Sequence, residues 1–155
     1  MWEPPFRDRR DAGRQLGRLL DRYQDRPDLV VVPANRQAVP VAYEVAIKTG
    51  ARLVGNVDDE CLAGRTVVLV DDGLAADRLP AIIDSIRRHG PERIVAAVAT
   101  APAETCLTLA DRADEAICVA SDIAVDAYWD LTEKPEEHLD LLVREASRRR
   151  RESAR

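Results

Sequence analysis

The sequence predicts one α/β domain: a mainly parallel, five-stranded sheet with helices on both faces, in the doubly wound arrangement. Three observations carry this. Short apolar runs such as Leu29-Val30-Val31-Val32 and Val67-Val68-Leu69-Val70 have the composition of strands buried on both faces. Helical patterns of about ten to fifteen residues separate them, the length that crossovers between parallel strands require. The chain has 155 residues, of which 46% are apolar, enough for one continuous core.

Each element has its own signature. Ala12, Leu16, Leu19, Leu20 and Tyr23 follow the spacing of one helix face, and Pro27 ends that helix. The strand at 29–32 follows. Residues 40–49 read as a helix that starts at a proline and closes at Gly50. A short strand is expected at 52–54, then a polar connection from Gly55 to Arg65. The strand at 67–70 runs into Asp71-Asp72-Gly73. Leu79, Ile82, Ile83 and Ile86 form a helical stripe that stops at His89-Gly90-Pro91. A strand at 94–99, a helix face of Ala103, Cys106, Leu107 and Ala110, and a strand at 116–119 complete the sheet. A loop with Tyr128-Trp129-Asp130 and a last helix from Pro135 to about Arg148 follow. The domain is expected over 1–148, with 149–155 an Arg-rich, disordered tail.

Composition narrows the class. Charged residues make up 33% of the chain and the net charge is −5. No apolar run reaches the ~20 residues of a spanning helix, and the N-terminus has no apolar stretch of the kind a secretory leader carries. A cytoplasmic protein with no membrane partner is expected. The last twelve residues, 144–155, hold six Arg and two Glu, a net +4 that leaves −9 on the rest. An acidic body disfavours nucleic acid as a partner except through that tail. Cys61, Cys106 and Cys118 are odd in number and lack a Cys-x-x-Cys pair, so plain buried or half-buried thiols are expected rather than a disulfide framework or zinc site. His89 and His138 read as helix-end residues without a catalytic setting. No metal site is expected.

In an open parallel sheet, ligands bind beyond the carboxyl ends of the strands, where the strand order reverses. That singles out the loops after Val32 and Val70. The second reads Val67-Val68-Leu69-Val70-Asp71-Asp72-Gly73-Leu74-Ala75-Ala76-Asp77-Arg78-Leu79. Four apolar residues, two acidic residues and a turn into a helix resemble the phosphoribosyl pyrophosphate motif of the type I phosphoribosyltransferases. Phe6-Arg7-Asp8-Arg9-Arg10-Asp11-Ala12-Gly13, Pro33 to Ala42, His89-Gly90-Pro91, Ala101 to Cys106 and Tyr128-Trp129-Asp130 are similar to further landmarks of a bacterial and archaeal subgroup. The resemblance spans about residues 6–145. It implies that Asp71 and Asp72 hold the ribose hydroxyls. It also implies that Ala75, Ala76, Asp77, Arg78 and Leu79 wrap the 5-phosphate at a helix N-terminus, and that Asn35, Arg36 and Gln37 stand at the pyrophosphate loop. A phosphoribosyl or nucleotide ligand and a homodimer are the implied partners. No cofactor is implied, except Mg²⁺ if phosphoribosyl pyrophosphate binds.

The departures from the family pattern set the functional expectation. Ala76 and Leu79 stand where the family's loop carries hydroxyls, and Asp77 replaces its glycine. A carboxylate about 4 Å from a phosphate charge costs about 4 kcal/mol at an effective dielectric of about 20; Asp77 is expected instead to cap the next helix. Asn35-Arg36-Gln37-Ala38 replaces a glycine-rich turn. The family's long catalytic loop has no counterpart in the short connection from Gly55 to Arg65, and a lid is what excludes water in such chemistry. A non-catalytic or regulatory binding module with an altered phosphoribosyl pyrophosphate site is the first expectation. The alternative is an active phosphoribosyltransferase acting on a nucleobase or related acceptor, with a partner subunit. The catalytic residues are not assigned.

Overall fold

The computed structural model describes residues 6–55, 62–74 and 76–120. The final helix and the tail expected from the sequence lie outside them. Nine helices and strands follow one another along the described residues: α1 (Arg9–Leu19), β1 (Leu29–Pro33), α2 (Val39–Thr49), β2 (Arg52–Leu53), β3 (Thr66–Asp71), α3 (Leu79–Arg87), β4 (Arg93–Thr100), α4 (Ala103–Arg112) and β5 (Glu115–Ala120). The five strands form one parallel sheet in the order β2-β1-β3-β4-β5. Every expected strand is present, and four of them extend slightly beyond the apolar run that signalled them. Val54 leaves β2 but still donates its N–H to Val31 at 2.8 Å. Among the described residues, no helix is long and apolar enough to cross a membrane.

Period-two alternation divides the apolar runs between two cores. Val31, Val68, Val70, Val95 and Ala97 pack with Leu16, Leu20, Val41 and Val45 under α1 and α2. Val30, Val32, Leu69, Ile94 and Val98 pack with Leu79, Ile83, Ile86 and Leu109 under α3 and α4. Each large aliphatic side chain taken fully out of water contributes about 1.5–3 kcal/mol. The sheet is therefore covered on both faces, as the uninterrupted valine runs require.

The helices α1 and α2 approach closely through glycines. A Cβ on Gly13 would lie 2.4 Å from the Val41 carbonyl oxygen, and one on Gly17 would lie 2.7 Å from Lys48 Cβ. Arg10 Nε closes the same seam with a 2.7 Å bond to Glu44 Oε1.

Several expectations are corrected. The helix α1 ends at Leu19, and Tyr23 lies in a separate short 3-10 turn, Asp21–Tyr23. From there its hydroxyl donates to Glu115 Oε2 at 2.7 Å and accepts from Arg93 Nε at 2.9 Å. Burial would raise the Tyr23 pKa, but the hydrogen bonds and charges of Arg22 and Arg93 outweigh it and hold the phenol below its ordinary value. Leu19 and Leu107, expected on apolar helix faces, are 50% and 70% exposed. The buried position of α4 is Leu109, two residues along and about 200° around the helix. Cys106 and Cys118, expected as plain thiols, are joined by a disulfide, because packing of α4 beside β5 brings their Cα atoms to 6.4 Å. Cys61 lies outside the described residues.

Candidate functional site

The central strand β3 delivers both acidic residues to the carboxyl rim of the sheet. Asp71 is its last residue and Asp72 follows it, and both are fully buried. Each carboxylate folds back on its own loop. Asp71 Oδ2 accepts the Gly73 N–H and Asp72 Oδ1 accepts the Leu74 N–H, both at 2.9 Å. Such two-residue side-chain turns replace backbone partners that the strand no longer supplies. Gly73 has φ 110°, and a Cβ there would lie 2.0 Å from the Thr100 carbonyl oxygen. Both the dihedral and the space require glycine.

The remaining oxygens are met from other elements. Arg9 Nε donates to Asp72 Oδ2 at 3.1 Å, with side-chain exposures of 4% and 0%. Arg9 is the first residue of α1, whose N-cap Asp8 accepts the Asp11 N–H at 2.7 Å. From the loop after β1, Asn35 Nδ2 reaches Asp71 Oδ1 at 3.5 Å, while Asn35 Oδ1 accepts the Ala38 N–H at 3.1 Å. The N–H of Ala34 donates to the Val70 carbonyl at 2.8 Å. The loops after β1 and β3 thus share one rim, where the strand order reverses. Arg36 stands exposed on the short turn Arg36–Ala38, and Gln37 is half-buried.

The expected phosphate loop is built differently. Ala75 lies outside the described residues. Ala76 and Leu79 are 4% and 0% exposed and belong to the core under α3. Asp77 and Arg78 face solvent in the turn Ala76–Arg78. The expectation that Asp77 caps α3 is not met: the N-cap is Arg78, with helical dihedrals and no side-chain cap bond. A capping side chain needs the extended backbone that the turn denies at this point.

Sequence reasoning missed two residues of this rim, Arg9 and Thr100. The signal for Arg9 was available. It lies three and seven residues before Ala12 and Leu16, on the buried stripe of α1, and an arginine on an apolar stripe is almost never buried without a partner. Nothing local marks Thr100; its role follows from the β3–β4 register, in which Asp71 is opposite Val98.

A parallel sheet with this strand order, covered on both faces, is a doubly wound arrangement, and with the acidic pair at the end of its central strand it matches the type I phosphoribosyltransferase-like fold. Comparison with solved structures bears this out. The protein TT1426 from Thermus thermophilus matches with a TM-score of 0.75 and 24% identity, over 92% of this chain and 99% of that one. A hypoxanthine phosphoribosyltransferase from Staphylococcus aureus matches with a TM-score of 0.51 and 13% identity, over 76% and 74% of the two chains. The UMP synthase of Leishmania donovani matches with a TM-score of 0.56 and 17% identity, over 91% of this chain and 33% of that one. No family model matches the sequence.

Proposed function

We propose that this chain is a non-catalytic or regulatory binding module of cytoplasmic nucleotide metabolism, built on a phosphoribosyltransferase fold with an altered phosphoribosyl pyrophosphate site. One observation carries the reading: both carboxylates assigned to the ribose are buried and occupied by the chain itself. Asp72 is neutralised by Arg9 and holds Leu74, while Asp71 holds Gly73 and meets Asn35. A ribose diol would have to reach two fully buried carboxylates and share their acceptor sites with Arg9, Asn35 and the loop N–H groups already bound there. The core positions of Ala76 and Leu79 further support loss of the phosphate cradle. The donor set does not suit Mg²⁺ either, because an arginine already faces the carboxylate a cation would use.

Phosphoribosyl transfer builds positive charge on the ribose carbon and expels pyrophosphate. The site must therefore hold phosphate, ribose and pyrophosphate together and exclude water. Of these tasks, this rim retains the acidic pair alone. Pyrophosphate release is assayed with purified protein, Mg²⁺, phosphoribosyl pyrophosphate and a panel of purine and pyrimidine bases, beside calorimetric titration of the same ligand. No turnover is expected. Robust turnover that Asp72→Asn abolishes would overturn the reading in favour of an active transferase. The location of Asp71 and Asp72 at the point of strand reversal favours that alternative, with the missing contacts supplied by a partner subunit or a second copy.

A further inference from the structure

We infer that Cys106 and Cys118 form a reversible thiol–disulfide site whose oxidant is a low-molecular-weight disulfide of the glutathione type. The two sulfurs are bonded across α4 and β5. Both residues are half-buried and share the wall of one cavity of about 470 Å³, lined otherwise by Ala103, Leu107, Ala110, Ala116 and Val119. None of these residues belongs to the loops after β1 and β3, so the inference is independent of the function proposed above.

The bond is local. It closes a segment of 12 residues between two elements already tied together in other ways. β5 pairs with β4 from Glu115 to Ala120, Leu109 and Ala113 are buried between the layers, and the Ala113 N–H closes the end of α4 on Leu109 at 2.8 Å. A half-buried bond on the wall of an accessible cavity belongs with the exchangeable disulfides rather than the fixed ones. The two cysteines differ in setting. Cys106 is the fourth residue of α4, near the positive end of the helix dipole, which favours an anionic sulfur, although the Ala101 carbonyl oxygen lies 3.9 Å from that sulfur. Cys118 lies on a strand, with no such field. Cys106 is therefore the attacking sulfur and Cys118 the resolving one.

The exchange balances without any further reagent. The Cys106 thiolate attacks one sulfur of oxidised glutathione, forming a mixed disulfide and releasing one glutathione thiolate. The Cys118 thiolate then attacks the Cys106 sulfur, closing the protein disulfide and releasing the second. Two cysteine thiols give up two protons and two electrons; the small disulfide takes up both electrons, and the two released glutathione thiolates take up the two protons.

The folded full chain is equilibrated anaerobically in a series of glutathione buffers, alkylated and mapped by mass spectrometry, which reads Cys61 separately. Cys106 and Cys118 are expected to oxidise together across that series and to revert when the buffer is reversed. A bond that resists excess dithiothreitol until the protein is denatured would make it a fixed staple and overturn the inference. A pair that stays reduced in the most oxidising buffer would overturn it equally. In the variants, Cys118→Ser should trap a glutathione adduct on Cys106, at least about tenfold faster than Cys106→Ser traps one on Cys118. Equal rates would overturn the order of attack.

Discussion

Arg9 Nε and Asp72 Oδ2 lie 3.1 Å apart in a setting that leaves their side chains 4% and 0% exposed. The pair joins the first residue of α1 to the first residue beyond β3. Removing one member of a buried ion pair leaves the other charge uncompensated, at a cost of about 3–5 kcal/mol. Arg9→Met should destabilise the protein by about that amount in urea unfolding. Adding Asp72→Asn should recover most of the loss, since the double variant removes both charges of this pair. Costs that simply add would show that the two groups do not depend on each other.

Gly73 tests the rim from the backbone side. Gly73→Ala would force a side chain onto φ 110° and a carbonyl 2.0 Å away. A loss of about 1–3 kcal/mol is expected from the dihedral alone, with more from the contact. Thermal unfolding measures it; an unchanged midpoint would mean that the loop relaxes freely.

Leu79 and Asp77 separate core from surface within one short segment. Leu79 is fully buried against the face of β3 that carries Leu69, whereas Asp77 is exposed. Leu79→Thr should cost about 2–5 kcal/mol by cavity formation and a buried hydroxyl. Asp77→Gly should change stability by no more than about 1 kcal/mol. Urea midpoints of the two variants compare them directly. Similar losses would show that Leu79 is less tightly packed than its burial implies.

Acid stability has a local source at Asp114. Its burial would raise its pKa, but the Ile94 N–H at 2.8 Å and the charge of Arg87 outweigh this and hold the carboxyl below its ordinary value. Asp28 is shifted the same way; there burial is outweighed by Thr66 and Arg26. A depressed folded pKa contributes stability that is present above the unfolded value of about 3.9 and is lost as pH falls through the folded one. Asp114→Asn should lower stability at neutral pH and reduce the steepness of its loss below about pH 4. Urea unfolding across that range gives the slope; an unaltered slope would assign the acid sensitivity to other groups.

The strands were legible because buried parallel strands are almost pure Val, Leu, Ile and Ala, as Val67-Val68-Leu69-Val70 illustrates. The rim was legible in part: Asp71 and Asp72 end such a run, and the strand order brings Asn35 beside them. What was not legible is non-local. Arg9 and Asp72 are 63 residues apart, and the join of Cys106 to Cys118 depends on how α4 lies over β5. Leu107 shows the limit of periodicity, because an apolar residue on a plausible face is still 70% exposed. Asp77 shows the limit of residue preference, since a good capping residue lies one position too early to cap.

The seam between α1 and α2 bears on how the rim opens. With no side chains at Gly13 and Gly17, α1 lies directly against the Val41 backbone and the Lys48 side chain of α2, and it has little room to slide along its neighbour. Arg9 stands at the head of α1, so its bond to Asp72 ties the rim to that helix. In native-state amide exchange, the protected N–H groups of α1 and those held by Asp71 and Asp72 should then open with a common free energy, as one cooperative unit. The rim would behave as an attachment of the N-terminal helix, gated by its detachment rather than by the mobility of its own loop.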